Sequence, residues 1–274
     1  MKEKRKLNKG GKILLLFTLV VSSIFLLRPF TVKADVNVNI NKETQIVTDL
    51  IGQYNINYTG DANFFGFYGY YENNNYNEMV KDTDFKTTVD TIGKGKIVNS
   101  SIASLKKTDG ATQIEAAYLV WETSVQGKNN TDLVKKAANK AVYFAGSTDK
   151  GAFTKKVNAS YAAVDMREPH LGTKEYTFSC MYTDVTATVQ KYGYGKYGVA
   201  NIPYVESTEK SNTSKGTHSG ESSAAWQLIV IEKNSKANVR AVSLKVGSHF
   251  NYQQENSKWT RNPVTMNLDL GDCK

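Results

Sequence analysis

Along most of the chain, apolar and polar positions alternate in short runs broken by turn residues. Strand formers occupy Gln45 to Ile51, Gln53 to Tyr58, Lys96 to Leu105, Gln113 to Trp121, Lys140 to Phe144, Tyr176 to Tyr182 and Gly198 to Val205. Trp226 to Ile231 is nearly continuous apolar, whereas Val242, Leu244 and Val246 alternate with polar residues beyond a KNSKAN turn. That pattern predicts a β-hairpin whose first strand is covered on both faces and whose second has one wet face. Helix is expected in two short places only. One is Thr131 to Asn139, capped by Thr131 or Asp132, and the other is Asp184 to Tyr192, capped by Asp184. No repeat of regular period appears, so the expected fold is all-β, an antiparallel sandwich of jelly-roll type in one domain over residues 35–274. Candidates for its core are Ile114, Tyr118, Val120 or their neighbours, with Val142, Phe144, Phe178, Val199, Trp226, Leu228, Val230, Val242 and Leu244.

Two stretches break the pattern. Residues 206–223 hold almost no apolar side chain and are expected to form a flexible loop, since they bury too little to offset their ordering entropy. NFFGFYGYYENNNYNE, residues 63–78, interleaves aromatics with glycine and asparagine. Its Phe65, Phe67, Tyr68, Tyr70, Tyr71 and Tyr76 offer flat stacking faces beside amide groups, which suits a carbohydrate or protein ligand. A strand that packs those rings on alternate faces is the other reading.

The chain start changes the picture of charge. A basic opening, an apolar run from Ile13 to Leu27 and Val32-Lys33-Ala34 read as a secretory signal peptide over residues 1–34; an uncleaved anchor is the alternative. The whole sequence holds 35 Lys and Arg against 26 acidic residues, and residues 1–34 contain 8 and 1 of these, which leaves 27 against 25. A near-neutral surface gives no reason to expect nucleic acid, and no stable membrane insertion is expected after cleavage. Cys180 and Cys273 are the only cysteines, and both a disulfide between them and two free thiols are open.

Reaction chemistry is hard to place. His170, His218 and His249 are far apart and lack metal-ligand spacing, and Gly60, Asp61 and Asn63 read as a turn rather than a calcium loop, so no cofactor or metal is expected. His218, Ser219 and Glu221 lie in a polar stretch without a nucleophile elbow, and Gly193, Gly195 and Gly198 read as turn glycines rather than a phosphate loop. Nothing singles out a carboxylate pair for glycoside hydrolysis.

Six stretches in order carry a resemblance: NSSIASL, IEAAYLVW, YTDVTATVQ, GKYGVANI, AAWQLIVIE and VRAVSLKVG, between residues 99 and 247. Together they resemble the N-terminal β-domain of large secreted or wall-attached surface proteins of Gram-positive bacteria. Ala117, Tyr118, Leu119 and Trp121 match its first motif, Asp184, Val185 and Thr186 its second, and Gly195, Tyr197, Val199, Ala200 and Asn201 its third. Ala225, Trp226, Leu228, Val230 and Glu232 match the fourth, and Arg240 and Gly247 the last, while Thr183, Ile231 and Val239 depart from the pattern. The sequence ends at LDLGDCK without a wall-sorting motif, so a short secreted form or a piece of a longer protein is expected. The D-V-T motif also resembles the jelly rolls of galactose-binding-like modules.

The resemblance implies a secreted, non-enzymatic, adhesin-like module that binds a carbohydrate or an extracellular protein. A secreted glycan-acting enzyme and a structural part of a wall assembly are the competing classes. Arg240 shares strand parity with Val242 and Leu244 and is expected to point inward, partnered by Asp184 or by backbone carbonyls. Trp121 and Trp226 are expected in the core, and Trp259 at the surface.

Overall fold

In a computed structural model that describes residues 37–40, 45–66, 74–75, 77–126, 137–170, 174–203, 222–246, 252–255 and 258–261, the two strands expected at 45–51 and 53–58 are one. This strand, β2 (Gln45–Gly66), runs 22 residues after β1 (Asn37–Ile40) and before β3 (Asn74–Asn75). Gly52 punctuates the sequence without turning the chain. A Cβ there would stand 2.7 Å from the Tyr54 ring, so the glycine makes room for an aromatic laid along its own strand.

Short helical pieces follow: α1 (Glu78–Lys81), a 3-10 turn (Thr83–Phe85), α2 (Lys86–Ile92) and a second 3-10 turn (Lys94–Lys96). Strands β4 (Ser100–Leu105), β5 (Ala111–Gln126), β6 (Val142–Thr148), β7 (Gly151–Val157), β8 (Tyr161–His170) and β9 (Lys174–Asp184) come next. Helix α3 (Thr186–Tyr192) then leads into β10 (Gly195–Ala200), β11 (Ser222–Asn234) and β12 (Val239–Val246), and a small hairpin pairs β13 (Tyr252–Glu255) with β14 (Lys258–Arg261). Of the first predicted helix, Ala137 and Ala138 are helical and residues 127–136 lie outside the described set. The second is present as α3. Most of the predicted loop 206–223 also lies outside it, although Ser222 and Ser223 already belong to β11.

The strands form an all-β, sandwich-like fold. The larger sheet has the order β1-β8-β9-β5-β11-β2-β12, with β3 on β2, and the smaller has the order β4-β10-β6-β7. Neighbours are antiparallel except β1 and β8, which are parallel. All described residues belong to one compact unit, Val36–Lys274.

The predicted hairpin of β11 with β12 is not formed. Residues 54–66 of β2 and residues 111–123 of β5 occupy the two edges of β11, so its ladder has no free side. The chain turns at Asn234, whose Oδ1 accepts the Lys236 N–H while its Nδ2 donates to the Asp109 carbonyl. β12 then pairs with residues 45–53 of β2.

Between the sheets the core holds Leu119, Trp121, Met181, Phe144, Tyr197, Val199, Trp226, Leu228 and Val230. Phe144 stacks on Tyr197 at 5.6 Å between centroids and meets Phe153 edge-on at 5.2 Å. The outer face of the larger sheet is partly covered too, by a second cluster that includes Tyr54, Tyr118, Tyr161, Tyr182, Ile231, Val242 and Val246. β12 makes contact with β9, four places away in strand order. In a flat sheet those strands would lie about 19 Å apart, so the sheet must curl toward its outer face. The covered stretch of β11 accordingly has both faces buried only near its end: Ile231 is buried, Ile229 half-buried and Gln227 exposed.

Candidate functional site

Several of the residues that carry the resemblance lie at two joints. At the first, Asp184 ends β9 and its Oδ1 accepts the Thr186 N–H at 2.7 Å, an Asx turn just ahead of α3, whose N-cap is Val185. Thr186 Oγ1 accepts the Ala117 N–H and the Val185 N–H donates to the Ala117 carbonyl, so the D-V-T corner is clamped onto β5. At the second, Asn63, Asn99, Ser101 and Trp226 form a buried polar network. The Trp226 indole N–H donates to Ser101 Oγ at 2.8 Å, the Ser101 hydroxyl donates to Asn63 Oδ1, and Asn63 Nδ2 donates to Asn99 Oδ1 and to the Val199 carbonyl. Asn99 in turn holds Ile202 through both its N–H and its carbonyl. Asn201, at φ 61°, turns the chain out of β10. Asparagine and serine are required here because each buried group must both give and take hydrogen bonds.

Arg240 departs from expectation. It is exposed, opposite Gly52, in the first three residues of β12, all of which are exposed. Strand parity sets the face, but at this end of the β2–β12 ribbon nothing covers that face, so no buried partner is needed. Asp184 is exposed as well, and its side chain turns the chain into α3 instead of meeting Arg240. Trp121 and Trp226 are in the core, 1 % and 3 % exposed. Cys180 is a free thiol, and Cys273 lies outside the described residues. So do Phe67, Tyr68, Tyr70, Tyr71 and Tyr76, while Phe65 stands in β2 opposite Ser223 and Asn74. Trp259 is in β14, opposite Gln254.

Beside the root of that aromatic stretch the outer face of the curled sheet holds a trough of about 630 Å³, lined by Tyr58, Thr59, Gly60, Asp61, Val120 and Glu122 with Cys180, Ala225 and Gln227. Register explains it. One row across five strands reads Ala62, Ala225, Glu122, Cys180, Ala163. Three alanines set a low floor, and the next row, Gly60, Gln227, Val120, Tyr182, Tyr161, rises beside it. Tyr58 stands 67 % exposed on the flank.

The floor is electrostatically unusual. Glu122 is exposed, yet the side chains packed around its base desolvate it enough to push its pKa up. Cys180, directly opposite, is pushed up to about 12 by burial and by the Glu122 charge, so at neutral pH it is a thiol and not a nucleophilic thiolate. Burial and the neighbouring Tyr161 and Tyr118 raise Tyr182 too. Among the described residues no three His, Cys, Asp or Glu side chains converge to hold a metal ion. No helix among them is long and apolar enough to cross a membrane.

Sequence reasoning missed Tyr58, Gln227 and Glu122. The signal lay in the even positions of β5 and the odd positions of β11, where small and polar residues interrupt an otherwise apolar outer face. Cys180 was singled out as a disulfide candidate and instead lies on the trough floor. No family model matches this chain, and no curated protein or solved structure matches it.

Proposed function

We propose that this chain is an exported β-sandwich module of a Gram-positive surface protein, and that it binds an extracellular carbohydrate or protein on the outer face of its larger sheet. The observation that carries the binding reading is the trough: an exposed tyrosine, a glutamine amide and a carboxylate stand around the small Gly60 and Ala225, an open shape with stacking and hydrogen-bonding groups in place. Export is supported by the basic and apolar opening of residues 1–34, and the surface-protein reading by the six ordered motifs. Those motifs lie at structural joints, so they describe the scaffold; the ligand surface is sought elsewhere.

A glycan-acting enzyme is the second reading, favoured by one observation. Glu122 lines the trough, and a carboxyl group whose pKa is raised fits a general acid.

Arrays of glycans and extracellular matrix proteins, probed with the wild-type chain and with a Tyr58→Ala/Gln227→Ala variant, test the first reading. Both side chains are exposed, so the variant is expected to fold. Retention of every wild-type signal by the variant rejects the trough as the binding surface. Release of reducing sugar from a bound glycan, abolished by Glu122→Gln, moves the assignment to the enzyme.

A further inference from the structure

Several described carboxylates are paired with lysine: Glu115 with Lys233, Asp109 with Lys236, Asp90 with Lys86, and Asp82 and Asp84 with Lys196. Glu122 has no hydrogen bond or ion pair among the described residues. On the face of the sheet that carries Glu122 the lining holds that one carboxylate and no lysine, arginine or histidine, since Asp61 shares the parity of Trp226 and faces the other way. One row away the phenol of Tyr161, 2 % exposed, also lacks a hydrogen-bond partner among the described residues. An exposed carboxylate without a counter-charge is free to attract any cation that reaches it.

Resting on the binding reading above, we propose that the trough takes a glycan bearing free amino groups, with the ammonium of an amino sugar seated against Glu122. The shape selects a glycan over a lysine-rich peptide. A lysine side chain is best held by a narrow apolar sleeve around its methylene stem. Here the floor is broad, crosses the strands and is open along its length. The Tyr58 ring offers a flat face for a pyranose, the Gln227 amide can both donate to and accept from ring hydroxyls, and Glu122 supplies the charge that distinguishes an amine from an acetamide. Cys180, uncharged beside Glu122, leaves that carboxylate as the charged group at the centre of the row.

The test is calorimetric titration of the chain with a fully deacetylated chito-oligosaccharide, its fully N-acetylated counterpart and an oligolysine peptide. Each is run with wild type, Glu122→Gln and Tyr58→Ala. The amine-bearing glycan is expected to bind wild type, and to bind about tenfold or more weakly when either its amines are acetylated or Glu122 is replaced. Tyr58→Ala is expected to weaken both glycans. Equal binding of the acetylated glycan, undiminished in Glu122→Gln but lost in Tyr58→Ala, overturns the ammonium contact and leaves the binding reading standing. Oligolysine binding that matches the amine-bearing glycan and requires Glu122 overturns the glycan assignment. Absence of binding by all three probes overturns the proposal, and an array profile unchanged by Tyr58→Ala/Gln227→Ala removes the binding reading with it.

Discussion

Asn63→Ala removes the centre of the polar network that joins the end of β2 to the smaller sheet. Asn63 is fully buried, and its amide takes part in three hydrogen bonds, to Ser101, Asn99 and Val199. After truncation Asn99 Oδ1 keeps the Ile202 N–H, whereas the Ser101 hydroxyl loses its acceptor while still receiving the Trp226 indole. One orphaned buried donor costs about 1–3 kcal/mol, and each of the two other lost bonds about 0.5–1.5 kcal/mol, for a total of about 3 kcal/mol. For a unit of this size that is a fall in Tm of about 6–12 °C. Guanidinium unfolding followed by far-UV circular dichroism measures it, as a lower midpoint at unchanged slope. Asn63→Asp is the companion. It keeps the shape and the acceptor for Ser101 but turns two donated bonds into oxygen facing oxygen, so at pH 7 it must destabilise at least as much as alanine. A loss below about 0.5 kcal/mol for Asn63→Ala, or an aspartate milder than alanine, refutes the network.

Other consequences are simpler to check. Glu122 has its folded pKa raised above the ordinary carboxylate value, so its protonated form fits the fold better than its charged form. The stability it contributes is complete below the unfolded pKa and is lost as pH rises through the folded one. Glu122→Gln is therefore expected to raise Tm at pH 7, with the gain vanishing below pH of about 4.5 by differential scanning fluorimetry; a gain that persists in acid contradicts the assignment. Gly195, at φ 143°, would bring a Cβ within 2.6 Å of Thr148 Cα, whereas Gly151, at φ 115°, has nothing within 4 Å. Gly195→Ala is expected to cost about 3 kcal/mol or more and Gly151→Ala about 1–2, by denaturant midpoint, and equal losses refute the close approach. Iodoacetamide at pH 8 is expected to label Cys180 more than about a hundredfold more slowly than a free cysteine, by peptide mass spectrometry, and labelling at the free rate contradicts its buried thiol.

The strands with strong alternation were legible because a two-residue period survives in β5, β10 and β11 whatever their partners. Pairing was not. Nothing local in VRAVSLKVG says that β2 will reach β12 before β11 can, since that depends on both edges of β11 being filled by segments more than a hundred residues away. β7 and β8 were missed because lysines and an Arg-Glu-Pro run dilute their apolar positions, although Asp149-Lys150-Gly151 marks the turn between β6 and β7. Helix α2 was missed because Lys-Thr-Thr-Val-Asp-Thr-Ile is β-branched; its Val89 and Ile92 are held by packing with Met79, Phe85 and Ile97 rather than by propensity. Asp184 was legible as the residue that starts the turn into α3, since its side chain acts within two residues, although the N-cap itself is Val185. The inward Arg240 was a sound inference from parity that failed because covering a face is a tertiary property. The trough was invisible for the same reason: Ala62, Ala225, Glu122, Cys180 and Ala163 come from five strands and become one row only through register.

Mapping of ligand-induced backbone amide shifts by NMR, with a ligand taken from the glycan and matrix-protein arrays, tests the central claim most directly. The account predicts that the largest shifts cluster at residues 58–62, 120–122, 180–182 and 225–227, four segments distant in sequence that meet on the outer face of the larger sheet. Shifts confined to the smaller sheet, at residues 142–157 and 195–200, with those four segments unmoved, would contradict it.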